Sequence, residues 1–336
     1  MTPRETRADA PPARHPHAYG QLAYGAAALG NLFEAVDDST AAATLATAWQ
    51  LGIRYYDTAP HYGLGLSERR VGEFLRGKPR NEFLISTKVG RLLEPTPERA
   101  HEKDDTWFDV PAAARRRWDY SADGIRRSLE ESLVRLGLDS VDILYLHDPE
   151  QQGVPAELPG AVQAVQALRD EGLVQMVGVG SSDVEMLRQV VAEADIDLVM
   201  LSNRYTLLNQ EAEALLLPEC AERGIGIVNV GVFNSGVLAS PAPRADSHYE
   251  YAALPPEVLI RARQLAAVCR SHGVELPAAA LQFSLRHPAV RTVAVGAGRS
   301  DQLRENHARM HAPIPEELWA DLTTVATLPA TPDQTS

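Results

Sequence analysis

The feature that most constrains this chain is a rhythm. Short runs rich in β-branched and apolar residues alternate with longer amphipathic segments, the pattern of repeated βα units. The spacing predicts strands over 22–27, 53–57, 83–88, 141–146, 174–179, 197–201, 225–230 and 291–295. It predicts helices over 38–51, 66–76, 121–136, 157–171, 183–193, 211–223, 256–273, 277–286 and 300–309. Capping chemistry agrees: Ser121 opens "SADGIRRSLEESLVRLG" and Gly137 closes it, while Gly172 and Gly224 stop two later helices. An open doubly wound sheet calls for a G-x-G-x-x-G turn after its first strand, and "GAAALGN" at Gly25–Asn31 lacks that spacing. Seven or eight units without such a turn point to an α/β chain closed as a (β/α)8 TIM barrel, in one domain over 19–328. The run 22–27 has a second reading, a short hairpin across the barrel floor with a further strand elsewhere.

Charge and cysteine content narrow the function. The balance of 32 basic against 45 acidic residues leaves a net charge of −13, which suits neither nucleic acid nor an anionic membrane as partner. No apolar run approaches the ~20 residues of a spanning helix. The first residues, "MTPRETRADAPPARHPHAYG", lack the apolar centre of a secretory signal, so a cytoplasmic protein is expected. The two cysteines, Cys220 and Cys269, form no CxxC; reduced thiols and no metal site follow. Residues 1–18 and the tail 329–336 read as disordered by composition.

Two insertions break the rhythm, residues 91–120 and 231–255. Both are too long to be connectors, and in a barrel both leave from the C-terminal face. Their aromatics, Trp107, Phe108, Trp118, Phe233, Tyr249 and Tyr251, are material for a wall that binds a sugar or a ring. Neither insertion carries a periodicity from which its own folding follows.

Four side chains carry the chemistry: Asp57 and Tyr62 in "YYDTAPHYG", Lys88 in "EFLISTKVG" and His147 ending "VDILYLH". Taken singly, each has a plain structural reading: a capping carboxylate, a half-buried aromatic, a snorkelling lysine, a loop-closing histidine. Each nevertheless sits at or just beyond the end of an expected strand, and a parallel barrel gathers such ends at one mouth. A phenol with a reference pKa near 10 is a poor base. An ammonium about 4 Å away at an effective dielectric of about 20 is worth roughly 4 kcal/mol, a ceiling of ~3 pKa units downward. Asp57 orients Lys88 and cancels part of that field, so a smaller downward shift is expected. A neutral His147 can donate a hydrogen bond to a substrate oxygen.

On these residues the chain resembles the aldo-keto reductase superfamily over nearly its whole length. The string "GIRYYDTAPHYGLGLSERRVGEFL" is similar to the family's D-T-A-x-x-Y-G signature with its later E-x-x-x-G. The resemblance implies Asp57, Tyr62, Lys88 and His147 as a catalytic tetrad, Tyr62 as proton donor or acceptor, and NAD or NADP bound across the barrel mouth. "GAAALGNLF", "LYLHDPE" and "GVFNSGVLA" look most like the bacterial L-fucose and D-threo-aldose 1-dehydrogenases. That implies a small sugar as substrate, against a wall of His61, Trp107, Phe108 and Trp118. The competing readings are an NADPH-dependent aldehyde or ketone reductase, a pyridoxal-type dehydrogenase, and a non-catalytic NADP-binding regulatory subunit.

The same resemblance assigns cofactor positions. Gly180 and Ser181 stand where many relatives hold the nicotinamide amide with a Ser-Asn pair. Ser202 replaces a usual glutamine, with Asn203 beside it, and Val230 falls near the usual ring-stacking tyrosine, with Phe233 close by. Asn234, Ser235 and Gly236 are candidates for the pyrophosphate. Gly296 and Gln302 stand where NADPH-specific members carry Lys and Arg, which leaves Arg299 as the cation; Asn306 is implied to contact the adenine. A 2′-phosphate wants charge-assisted partners, so NAD or dual use is expected rather than strict NADP. The oligomeric state is left open.

Overall fold

Why four distant residues should meet is answered by strand parity in a closed sheet. The computed structural model describes residues 20–152, 156–250 and 252–325; the ends read as disordered, and Tyr251, lie outside the described residues. Eight strands close the barrel: β1 (Leu22–Gly25), β2 (Tyr55–Asp57), β3 (Leu84–Val89), β4 (Ile143–His147), β5 (Met176–Ser181), β6 (Leu198–Ser202), β7 (Gly226–Val230) and β8 (Val290–Gly296). Each lies parallel to its neighbour in chain order, and β8 returns to β1.

The hairpin reading of the first run is wrong: Leu22 pairs in parallel with Val293, and Tyr24 with Tyr56. β1 is a stave, and it ends at Gly25 because Ala26–Gly30 tightens into a 3-10 turn.

Alternate strand residues face the lumen and the helices. Tyr55, Leu84, Ile143, Tyr145, Leu198 and Met200 belong to the apolar cluster inside the barrel. Tyr56, Ile85, Leu144 and Leu146 pack in a second cluster with the surrounding helices. The two-residue period then puts Asp57 with Tyr55, Ser86 and Lys88 with Leu84, and His147 with Tyr145. Register completes the arrangement, since Asp57 lies beside Ser86 and Lys88 beside Tyr145.

The helices are α1 (Asp38–Gln50), α2 (Leu66–Leu75), α3 (Ala122–Leu136), α4 (Leu158–Asp170), α5 (Val184–Glu193), α6 (Leu216–Arg223), α7 (Pro256–Ser271), α8 (Leu276–Phe283), α9 (Ser300–Met310) and α10 (Glu316–Thr324). Ser121 accepts from the Gly124 N–H, and Gly137 ends α3 in the left-handed region, as the capping pattern predicts. α6 starts at Leu216 rather than 211, because Asn209 accepts from the Glu211 N–H and holds the preceding residues in turns. α8 gives way to a 3-10 turn at Ser284–Arg286. α10 has no counterpart in the sequence-based expectations; its Leu318, Trp319 and Leu322 pack with Val258, Leu265 and Ala266 of α7. α2 and α3 pack backbone to backbone at Gly72, where a Cβ would fall 2.0 Å from the Leu136 carbonyl oxygen. Among the described residues no helix is long and apolar enough to cross a membrane.

The first insertion folds as an antiparallel hairpin, Arg91–Pro95 against Ala114–Trp118. Ion pairs lace it: Glu94 with Arg115 at 2.8 Å and Arg117 at 2.5 Å, and Arg116 with Asp104 at 2.7 Å. The second is mostly turns with one short ladder, His248–Tyr249 against Ala252–Ala253, and Tyr249 packs in the cluster that holds α7 and α10. The insertions meet at Phe33. Its N–H donates to the Trp107 carbonyl at 2.8 Å, and its ring contacts those of Trp107 and His248 at 5.9 and 5.8 Å.

Candidate active site

Lys88 ends up inside the barrel with its ammonium fully engaged. Its Nζ donates to Asp57 Oδ2 at 2.6 Å, to the Thr58 carbonyl at 3.0 Å and to the Tyr62 hydroxyl at 2.9 Å. An ammonium has three N–H donors, and all three are in use. Ser86 donates to the other Asp57 oxygen at 2.7 Å, and Tyr55 donates to Ser86 at 3.1 Å. The pair is thus hydrogen-bonded on both sides, the condition under which a buried ion pair is tolerable.

Tyr62 is set by the loop after β2. Its hydroxyl accepts from Lys88 and keeps its own proton for another partner. Gly63 behind it adopts φ +61°, and a Cβ there would fall 2.2 Å from the Gly30 carbonyl oxygen, so two main chains hold the phenol in place. The His147 ring stands perpendicular to that of Tyr62, with centroids 5.9 Å apart. His61 and Phe108 complete the wall, with Phe108 centred 5.2 Å from His61 and 6.0 Å from Tyr62.

The electrostatics differ from expectation at one point. Burial would lower the Lys88 pKa, yet the Asp57 carboxylate and the Tyr62 oxygen outweigh it and leave Lys88 more firmly protonated than usual. Tyr62, expected to shift down, shifts up: burial dominates, Lys88 opposes it, and Asp57 removes part of what Lys88 supplies. His147 is held well below its ordinary value, first by burial and then by the charges of Arg91 and Lys88, so its imidazole is neutral. His61 is pushed down to about 2 by burial together with Arg91, Arg116 and Lys88.

Sequence reasoning missed Arg91. It is 3% exposed, its guanidinium lies 4.1 Å over the Trp118 ring, and its Nη2 donates to Asp148 at 2.7 Å and Gln151 at 3.1 Å. It also missed Arg116, which donates to Asp104 and to the His61 carbonyl at 3.0 Å. The available signal was position: Arg91 is three residues beyond Lys88, too near the strand end to reach open solvent. Trp107, by contrast, is 52% exposed and touches Phe33. Trp118 meets the mouth by way of Arg91.

The residues proposed for a dinucleotide fall on the other half of the rim. Gly180 and Ser181 end β5 beside Met200 and Leu201, Ser202 ends β6 beside Val230 at the end of β7, and Asn203 follows Ser202. Phe233 to Gly236 follow β7, Gly296 ends β8, and Arg299, Gln302 and Asn306 lie on or beside α9. Asn234, Ser235 and Gly236 all have left-handed backbones, with φ of 46°, 57° and 105°. Asn234 is fully buried, yet among the described residues neither atom of its amide finds a hydrogen-bond partner, and Asn203 Oδ1 likewise has none. Buried polar atoms left open in this way fit the phosphate and amide groups of a nicotinamide dinucleotide. Arg299 lies against Glu34 at 3.8 Å and Asp301 at 3.5 Å, and Gln302 closes its own loop by accepting from the Gly298 and Arg299 N–H groups.

The profile of the Aldo/keto reductase family matches residues 21–327. This chain belongs to that family. The aldo/keto reductase is 52% identical over 310 residues to a D-threo-aldose 1-dehydrogenase of a Pseudomonas species, covering 92% of this chain and 94% of the relative. It is 37% identical to a pyridoxal 4-dehydrogenase of Microbacterium luteolum, covering 90% and 92% of the two chains. Among solved structures, an aldo-keto reductase from Bacillus halodurans in its holo form superposes with a TM-score of 0.74 at 26% identity, covering 92% and 93%. Membership makes the protein an oxidoreductase that uses a nicotinamide cofactor.

Proposed function

We propose that this aldo/keto reductase is an aldose 1-dehydrogenase, which oxidises the anomeric hydroxyl of a small sugar to the lactone. The observation that carries the reading is Tyr62, hydrogen-bonded to a protonated Lys88 and facing a neutral His147, in a chain so similar to a D-threo-aldose 1-dehydrogenase. When bound, the nicotinamide supplies the acceptor for the hydride of C1. Its holders are Gly180, Ser181, Ser202, Asn203, Val230 and Phe233, with Asn234–Gly236 at the pyrophosphate. Gly296, Arg299, Gln302 and Asn306 serve the adenosine end, where the carboxylates around Arg299 favour NAD over NADP.

The chain's own part is proton management. His147 donates a hydrogen bond to the sugar oxygen and fixes the hydroxyl against Tyr62. The phenolate of Tyr62 accepts the hydroxyl proton, and Lys88 stabilises the phenolate by charge and by hydrogen bond. Asp57 keeps Lys88 protonated and aimed. His61 and Phe108 exclude water and present their rings to the C–H side of the sugar, while Trp118 supports this wall from behind Arg91.

Because Tyr62 is harder to ionise than a free tyrosine, oxidation is expected to rise with pH across the neutral and alkaline range without a plateau below about pH 10. A panel of aldoses and an aromatic aldehyde, run with NAD and NADP in parallel, tests the reading. Aldose oxidation should give the highest kcat/KM. A preference for pyridoxal or another aldehyde would favour the reading suggested by the Microbacterium relative, and nucleotide binding without turnover would favour a regulatory subunit.

A further inference from the structure

One carboxylate oxygen beside His147 has three claimants. Asp148 follows His147 directly with a left-handed backbone, φ 41°, which turns its side chain back toward the mouth. Its Oδ2 lies 3.4 Å from His147 Nε2, 2.7 Å from Arg91 Nη2 and 3.2 Å from Gln151 Nε2. The Arg91 contact is a short charge-assisted bond; the His147 contact is too long for a strong one.

Arg91 is built into that place. Gly90 before it has φ +106°, and a Cβ there would fall 2.3 Å from the Tyr120 ring. The ring of Tyr120 stacks on Trp118, Trp118 carries the guanidinium, and the Tyr120 hydroxyl donates to the His147 carbonyl at 3.0 Å. Arg91 and His147 are therefore held by the same short stack of rings.

We propose that Arg91 is a positioning residue that withholds Asp148 from His147 and so keeps the imidazole neutral for its hydrogen bond to the substrate oxygen. The inference rests on the catalytic reading of His147 given above. A carboxylate this close to a buried imidazole stabilises the imidazolium unless another cation takes up its charge. The groups facing His147 are Arg91, Lys88, His61 and Arg116 on the cationic or imidazole side, the Tyr62 phenol, and Asp148. Lys88 is committed to Asp57 and Tyr62, and Arg116 to Asp104. That leaves Arg91 as the cation in hydrogen-bond contact with Asp148, beside the uncharged Gln151 amide. Burial pushes the Asp148 pKa up, and Arg91 opposes that rise by its charge and its hydrogen bond, so the same guanidinium occupies the carboxylate.

The test follows the His147 imidazole resonances by NMR titration of the full chain, for the parent, Arg91→Met, Arg91→Lys and the double variant Arg91→Met with Asp148→Asn. In Arg91→Met the His147 pKa should rise by about 1–3 units. Its oxidation rate should fall on the acid side, as pH drops through the new His147 pKa, and match the parent's profile above it. Arg91→Lys should keep the parent titration to within about one unit, and the double variant should return most of the shift. If Arg91→Met leaves His147 where it was, with Asp148 becoming protonated instead, the proposal is overturned. It is equally overturned if the double variant keeps the raised value. Circular dichroism checks that each variant folds; should Arg91→Met not fold, Asp148→Asn alone must lower the His147 pKa or leave it low, and a rise would sink the idea. Tyr62→Phe separates the two claims: full turnover in that variant would remove the catalytic reading, whereas the NMR shift reads the Arg91 effect without any turnover.

Discussion

The deep cluster of Asp57, Lys88 and Tyr62 and the rim hairpin of residues 91–120 are both dense in charge, yet they hold it differently. In the cluster, one ammonium meets three acceptors at 2.6 to 3.0 Å inside the barrel, and strand register decides who meets whom. At the hairpin's outer edge, Glu94 shares two arginines that are 65% and 41% exposed, and water competes for both contacts. Removing a partner inside leaves a charge that nothing can solvate. Removing one outside leaves a charge that water takes over.

Four substitutions would break or sharpen this contrast. The largest effect belongs to Lys88→Met, which strands Asp57 inside the barrel. A loss of about 3–5 kcal/mol of stability in urea unfolding is expected, together with loss of turnover. A variant as stable as the parent would mean that Asp57 is protonated or solvated. Tyr62→Phe should lower kcat by about 10²- to 10⁴-fold while nucleotide affinity, read by fluorescence titration, changes by less than about threefold; turnover near the parent level would remove Tyr62 from the chemistry.

Glu150 lies between the two regimes. Burial and the neighbouring Asp148 push its pKa up to about 7, from an ordinary 4.5, against a bond from Ser181. A carboxyl with a raised folded-state pKa folds without penalty below about pH 4.5 and loses stability as pH rises toward 7. Glu150→Gln should therefore match the parent near pH 4.5 and exceed it at pH 8, by up to about 3 kcal/mol. Equal stabilities at pH 8 would count against a buried, ionised Glu150. The smallest effect is expected for Arg115→Ala. Its urea midpoint should stay within the scatter of repeat measurements, since Arg117 still pairs with Glu94; a clear drop would show the hairpin to be as tightly coupled as the lumen.

The same contrast explains what could be read from the sequence. Asp57, Lys88 and His147 were legible because each ends a strand, and a two-residue period plus barrel closure leaves only one place for them to point. The class of the elements was legible for the same reason, since burial on both faces makes continuous apolar runs such as "ILYL" in β4. Arg91 was not, because its burial depends on a hairpin whose strands, "RLLEP" and "ARRRW", have no apolar alternation to announce them. α10 was missed because its three apolar anchors gain meaning only against α7. The direction of the Tyr62 shift was missed because a pairwise charge estimate contains no burial, and burial is the larger cause here. The first stave was ambiguous because a four-residue strand is too short to declare its partner.

The contact between Gly30 and Gly63 bears on how such a pocket can change over time. Where a reactive group is seated by packed side chains, many compensating exchanges can nudge it by fractions of an ångström. Here the seat is made of peptide units from two loops, and no alternative residue types exist with which to adjust it. Divergence in what the enzyme accepts must then be written almost entirely in the surrounding walls, while the phenol itself stays at a fixed address.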